Sequence, residues 1–526
     1  MAQSKPSLPA GSGELLVRPA FEAWARLAKD NHRVAQGWAF EVATRPAGDV
    51  RAQARAELLA VASGFSGRLG VPVDAPGDPA DLIVMTGHQP EIYHPGVWVK
   101  DFLLQSVADQ SGATAVDVVV DSDGFDSVGV SFPCLVPEVR RCTQTLAVAS
   151  KDECFASAPV PSAEDVEQFC EAVERQVSTL PTPAVAHCFA VFAQALRGAR
   201  QSSGDLGEYL TKVRRHYEAS AGTRYLELPA TMFARTEAFA TFVVDLALSG
   251  ERFVSAYNSA LADYRRINGV RSDAQPFPDL AQDGGRVELP LWAIVDGRRS
   301  TLWVRRLDDE LEFSSASDIL ILVPADPERA TAALSDAAFI IAPKALSLTL
   351  FIRAFACDLF IHGVGGGGYD RVTDDVFRRY YGVEPPEFVV ASVTMYLPLG
   401  ARIVGEDEVS AARERLNRLE HNPDAMLGEV EFESVEEQAE AASLAEQKAE
   451  LVGSIAKPDA DKKTLGLRIR EVNAALASML APLKESLRQD VEALEVQRAA
   501  SDVLTDRTYP YCFWPPRDVA ELAGQE

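Results

Sequence analysis

The stretch Thr86-Gly87-His88-Gln89-Pro90 followed by Glu91-Ile92-Tyr93-His94-Pro95-Gly96 places two histidines, two prolines and two glycines in one short connection. An imidazole exchanges a proton near neutral pH, so His88 is a candidate catalytic residue that could position or polarise a substrate. Thr86, Gln89 and His94 add hydrogen-bonding groups for substrate around it. The structural alternative is a histidine hydrogen-bonded inside a tight Pro/Gly turn. A second group follows in Val-Val-Val-Asp-Ser-Asp-Gly-Phe-Asp, which places Asp121, Asp123 and Asp126 beyond an apolar run. Paired carboxylates there can act as acid and base, hold hydroxyls, or ligate a divalent cation, and their repulsion raises the pKa of the more buried one. The same residues also suit an Asx turn with solvated carboxylates. The third group is Gly363-Val364-Gly365-Gly366-Gly367-Gly368, flanked by His362 and Tyr369. Glycine amides at a helix start approach an anion closely, so Gly363, Gly365, Gly366, Gly367 and Gly368 could receive a phosphate or carboxylate. The run meets the dinucleotide pattern formally, with Glu384 about twenty residues on, and no Walker-type Gly-Lys-Ser/Thr is present. Lys100 and Lys344 could neutralise such an anion. His32, His187, His216 and His421 fall in helical patterns or linkers and are read as structural.

These groups need rigid supports. Residues 82–85 form an apolar run of strand length and 97–107 resume at helical spacing, so the His88 loop leaves the carboxyl end of a buried strand. Residues 115–120, interrupted only by Asp117, form a second strand and complete a β-α-β unit. In open α/β sheets ligands bind at that edge. Residues 160–270 read as a helical insertion, with amphipathic segments at 163–177, 184–197, 206–219 and 231–248. Between 287 and 313 the period becomes two, with a hairpin turn at Asp296-Gly297. The first sheet is expected to resume at 319–323 and 338–341, followed by a helix at 345–357, a strand at 359–362 and a helix at 369–381.

Composition narrows the partners. The chain has 526 residues, 47% hydrophobic and 24% charged, with 51 basic against 77 acidic residues and a net charge of −26. That field repels nucleic acid and anionic membrane and leaves small molecules as the expected partners. Residues 1–13 lack the basic and apolar segments of a signal peptide, and no apolar run approaches the roughly 20 residues needed to span a bilayer. A cytoplasmic location follows as an expectation. The seven cysteines are scattered without a C-x-x-C spacing, which disfavours a disulfide framework or a structural zinc.

The last third is rich in Ala, Glu, Leu, Lys and Arg at helical spacing over 431–455 and 462–503, separated by Lys457-Pro458-Asp459-Ala460-Asp461. Two helices of unequal length suggest an antiparallel coiled-coil hairpin, kinked at Pro482, whose longer member offers its free end to a second subunit in a homodimer. The aromatic segment Tyr509-Pro510-Tyr511-Cys512-Phe513-Trp514 should dock onto the body or onto that subunit.

Together, the Thr86-Gly87-His88-Gln89-Pro90 loop, the acidic cluster, the glycine-rich turn before Tyr369 and the C-terminal helices resemble the bacillithiol biosynthesis cysteine-adding enzyme family. The resemblance covers 80–135 and 335–405 by motif and 405–526 by architecture. It implies an α/β fold with a Rossmann-like parallel-sheet core, a helical connecting region, a C-terminal antiparallel coiled coil, an adenine nucleotide (ATP or ADP), and a ligase-like reaction joining cysteine to an amino sugar. The chain departs from the family in having no histidine in its acidic motif. The expected divisions are 1–160 and 271–405 for the two halves of the core, 161–270 for the helical region, and 406–526 for the coiled coil and docking tail. Asp121 and Asp123 would then act as base or bind hydroxyls or metal. Two other readings stay open: a non-catalytic nucleotide-binding scaffold assembled through its coiled coil, and a haloacid dehalogenase-type phosphatase with Asp121 as nucleophile and Asp123 as acid.

Overall fold

The computed structural model describes residues 8–524 except 136–138, 273, 401, 456 and 458, so the first seven residues and Pro458 of the expected helix separator lie outside it. The chain forms two units. One comprises Met1–Cys134, Cys142–Leu397 and Arg507–Glu526, and the other Leu135–Arg141 and Pro398–Asp506.

The first unit is mixed α/β. Its main sheet contains β1 (Glu14–Arg18), β2 (Ile83–His88), β3 (Thr114–Val119), β4 (Leu226–Pro229), β5 (Leu359–His362) and β6 (Val389–Thr394). They lie in the order β1-β6-β5-β2-β3-β4, all neighbours parallel except β1. The five parallel strands therefore run third, second, first, fourth, fifth by chain order, and the direction of winding reverses between β2 and β5. Ile83, Val84, Met85 and Thr86 are all buried, because helices cover both faces of such a sheet and its strands lose the in-out alternation. Helix Pro95–Ser111 makes the crossover from β2 to β3, which parallel pairing requires.

Buried charge pins this sheet. Asp358 accepts hydrogen bonds from Arg51 (2.6 Å), Arg55 (3.1 Å) and the Ile83 amide (2.9 Å), tying the starts of β2 and β5 together. Beneath β3 and β4, Arg214 contacts Asp101 (2.7 Å), Asp117 (2.8 Å) and Glu227 (2.8 Å). Asp117, the one charge in an apolar strand, is there to meet that guanidinium.

Two expectations about strands change. Leu226–Pro229, inside the region read as purely helical, is the edge strand β4. Its four residues are too short for a periodic signal, and Glu227 interrupts their apolar character. Ile319–Pro324 and Ile340–Pro343 do not extend the parallel sheet. They join a separate antiparallel sheet with Glu310–Ser314, Arg298–Arg306 and Arg286–Val295. The hairpin turn in that sheet is at Asp296-Gly297 as expected, both residues having positive φ (48° and 76°).

The glycine run is also helical: helix Val364–Tyr369 starts directly after Gly363, and Arg371–Val376 follows. Cys134 and Cys142 form one disulfide across the hairpin of Ser127–Cys134 with Arg140–Val148, contrary to the expectation of unbridged cysteines. Residues eight apart in sequence are neighbours because the two strands pair with each other. The other five cysteines are free and buried.

The aromatic tail docks on its own unit. The Tyr511 amide donates to the Tyr93 carbonyl (2.7 Å), its ring lies 5.0 Å from Trp98, and the Tyr217 hydroxyl donates to the Trp514 carbonyl (2.8 Å). The second unit holds helices Glu406–His421, Val435–Ile455, Lys462–Met479 and Ala481–Leu504. The long helix breaks at Leu480, with Pro482 in the first turn beyond, where its missing N–H is least costly. Buried Ala441, Leu451, Val472 and Leu476 join the second and third of these helices, while Arg413 and Glu495 (2.7 Å) link the first and last. No helix among the described residues is long and apolar enough to cross a membrane.

Candidate functional site

The carboxyl ends of β2 and β5 lie side by side where the winding reverses, and the loops leaving them open onto a cavity of about 660 Å³. His88, Gln89 and His94 reach it from the first loop. His362, Gly363, Gly365, Gly366 and Tyr369 reach it from the turn after β5, and Asp123 from the loop after β3. The antiparallel sheet adds Trp292 and, just past its last strand, Lys344.

His88 Nδ1 stands 3.2 Å from the Gln89 carbonyl oxygen, which can only accept, so Nδ1 carries the proton and Nε2 is an acceptor. Desolvation, reinforced by Lys100, pushes its pKa down to about 3, and the ring is neutral at physiological pH. His94 caps helix Pro95–Ser111, its Nδ1 accepting from the Gly96 amide (3.1 Å). Thr86 lies behind the wall. Its hydroxyl donates to the Ile361 carbonyl (2.8 Å) and accepts from Lys100 (3.1 Å), so it positions Lys100 rather than touching substrate.

His362 has a partner eight residues on. Its Nε2 is 3.0 Å from Asp370 Oδ2, and Asp370 also accepts from Arg353 (2.5 Å) and Thr349 (2.6 Å). Burial opposes ionisation of Asp370, but Arg353 and then His362 outweigh it and hold the carboxyl well below its usual range. The ionised Asp370 fixes the proton on Nε2 and leaves Nδ1 as the acceptor, on the side facing Gly366. Burial lowers the His362 pKa against the pull of Asp370, which favours the neutral ring. Tyr369 is pushed up to about 12 by burial and remains a phenol.

The acidic cluster divides. Asp123 faces the cavity, accepting from Gln89 Nε2 (2.8 Å) and Arg299 Nη1 (2.6 Å). Arg299 in turn lies 4.6 Å from the Trp292 ring centroid. Gly124 permits this approach, since a β-carbon there would stand 2.0 Å from Arg299 Nη2. Asp121 is off the cavity, contrary to its expected catalytic place. It is 6% exposed and accepts from the Thr231 amide (2.8 Å) and hydroxyl (2.5 Å). Asp126 is off the cavity too. The three carboxylates do not converge, and among the described residues no three His, Cys, Asp or Glu side chains gather as a metal-ligand set.

The glycines divide as well. Gly363 and Gly365 have open space where a β-carbon would be, whereas at Gly367 it would stand 2.4 Å from Val390 Cγ2. Gly367 therefore serves close packing on β6, and Gly368 does not line the cavity. Several lining residues had no sequence signal strong enough to select them: Trp292, Thr349, Ser392 and Arg507, which come from separate elements. Ser122 was visible between two named aspartates. It lines the cavity with a buried hydroxyl that has no hydrogen-bond partner among the described residues.

Burial raises Asp121 from its ordinary value to about 7, the Thr231 bonds opposing it. A raised folded-state pKa means that folding favours the protonated form, so this contribution is fully present below about pH 4 and is lost as pH rises through about 7. Asp121→Asn is expected to stay folded and to gain on the order of a few kcal/mol relative to wild type between pH 5 and pH 8. Urea midpoints across that range check it, and parallel pH profiles for the two proteins would refute it.

No family model matches the chain, and no curated protein matches it.

Proposed function

We propose that the cavity is the active site of a ligase-like or transferase-like enzyme that joins a small amino acid, cysteine among the candidates, to an amino-bearing acceptor such as an amino sugar. The observation that carries this reading is the convergence of the three loops on one cavity that holds both neutral acceptors and cations. The strand order supports a Rossmann-like core, in which ligands bind where the winding reverses.

His88 Nε2 and the Asp123 carboxylate would hold the donor groups of the two substrates. His362 Nδ1 would take the proton that the acceptor amine loses as it attacks the carboxyl carbon, with Asp370 steadying the imidazolium that forms. This moves the base from Asp121 and Asp123, the sequence candidates, to the His362-Asp370 pair. An adenine nucleotide would lie on the open side of Gly363 and Gly365, with Trp292 and Tyr369 as aromatic surfaces. When bound, ATP would supply the group that turns a carboxyl oxygen into a leaving group, so that this oxygen departs on phosphate, with ADP released, or on AMP, with pyrophosphate released, as the amide bond forms. Among the described residues no set of carboxylates is arranged to hold a divalent cation by protein alone.

The phosphatase reading weakens because Asp121, its nucleophile, is buried against Thr231 away from the cavity. A non-catalytic scaffold remains the second reading. We place the enzyme in the cytoplasm as part of the same proposal, and assign its helices in the second unit to a coiled-coil hairpin that forms a homodimer; light scattering at monomer mass would exclude the dimer.

Incubation of the full chain with cysteine, ATP and a panel of amino sugars is expected to yield a product equal in mass to the two substrates less water. ATP or ADP at a hundredfold excess over its Kd should stabilise the chain by about 2.7 kcal/mol. Stabilisation without product would favour the scaffold, and a response to NAD alone would replace ligation with redox chemistry.

A further inference from the structure

Lys100 is 2% exposed, and its Nζ donates to two neutral oxygens, Thr86 Oγ1 and the Gly87 carbonyl, each at 3.1 Å. Among the described residues no carboxylate forms an ion pair with it within 4.0 Å. Asp101 and Asp117 exert a field on it, but both are in contact with Arg214, at 2.7 and 2.8 Å. An ammonium has three hydrogens, and leaving a buried one without a counter-ion is unfavourable.

Lys100 also forms part of the cavity wall. Gly96 and Val97, from the first turn of the same 17-residue helix, line the wall beside it, at the end of the helix that carries partial positive charge. Independently, the Ser122 hydroxyl is buried at this cavity without a hydrogen-bond partner among the described residues. A buried cation facing neutral oxygens, a helix amino end and an orphan hydroxyl all suit one negatively charged ligand group.

We propose that Lys100 anchors an anion subsite in this cavity, taking a carboxylate or phosphate group of the bound small molecule. The inference rests on the cavity being the ligand site of the preceding section, and it does not depend on which bond is made there. Thr86 and the Gly87 carbonyl hold the ammonium from behind, so that its third N–H is left for the ligand. Helix Pro95–Ser111 fixes its distance from the loop that carries His88.

Calorimetric titration of the full chain with inorganic phosphate and with malonate tests it, since the two probes separate phosphate from carboxylate recognition. Wild type should bind at least one of them at a single site, and Lys100→Met should bind it about 10- to 100-fold more weakly. Lys29→Met, a substitution on an exposed helix position, should bind as wild type does. Failure of wild type to bind either anion, or equal binding by Lys100→Met, overturns the proposal. Should Lys100→Met not fold, wild-type crystals soaked in selenate decide it. An anomalous peak within hydrogen-bond reach of Lys100 Nζ supports the subsite, and a peak only elsewhere in the cavity removes it. Anion binding through Lys100 without any ligation product would keep the subsite and discard the proposed reaction alone.

Discussion

Arg214→Met will destabilise the first unit by about 3–5 kcal/mol, the usual consequence of removing one partner from a buried ion cluster. The guanidinium is buried and contacts Asp101, Asp117 and Glu227, which come from helix Pro95–Ser111, β3 and β4. Without it three carboxylates on three elements lose their common counter-ion, while Arg215 reaches Glu227 only at 3.7 Å. Burial already raises Asp101, to about 7, and Glu227, in both cases against the pull of Arg214. Loss of Arg214 raises both further. Groups with raised folded-state pKa values stabilise the fold at low pH and lose that contribution as pH rises through the shifted value, so the deficit should be smaller at pH 5 than at pH 8. All six tryptophans, at 24, 38, 98, 292, 303 and 514, belong to the first unit, so intrinsic fluorescence in urea reads that unit alone. Equal midpoints for variant and wild type at pH 8 would show that the cluster contributes nothing.

His362→Gln is expected to lower the rate of product formation by about 10²- to 10⁴-fold, the range for loss of a positioned proton acceptor. Glutamine can still donate to Asp370, and Asp370 keeps Arg353 and Thr349, so the fold should be little affected. What glutamine lacks is the basic nitrogen that Nδ1 presents toward Gly366. The wild-type rate should fall at low pH as His362 takes up a proton, and the variant should lose that limb of the profile. A variant within about threefold of wild type, or one that keeps the limb, would move the base to another residue.

The sequence marked the three loops because each combines turn residues with polar groups between runs of clear periodicity. Strand-to-helix connections of that kind are local, and the alternation of apolar runs with helical segments already placed His88, Asp123 and the first glycines at one sheet edge. The order of windings was not legible, because β4 is four residues long with Glu227 in its middle. Nor was the assignment of Ile319–Pro324 and Ile340–Pro343, since an apolar strand reads alike in either sheet.

By itself, then, the sequence determined the α/β character of the chain, its main helices and the turn at Asp296-Gly297, and it marked three loops as candidates for chemistry, all properties of neighbours along the chain. Only tertiary structure decided which of those residues share a cavity. Asp121 and Asp123 are two positions apart and equally acidic, yet Thr231 draws one inward while Arg299 and Gln89 hold the other at the cavity wall. His362 acquires its Asp370 partner through a helical turn, and Lys100 its neutral surroundings through β2. The physical reason is that a side chain's charge state and direction follow from the partners and the water around it when buried, and those partners come from other elements, as far as 176 residues along the chain for Asp123 and Arg299.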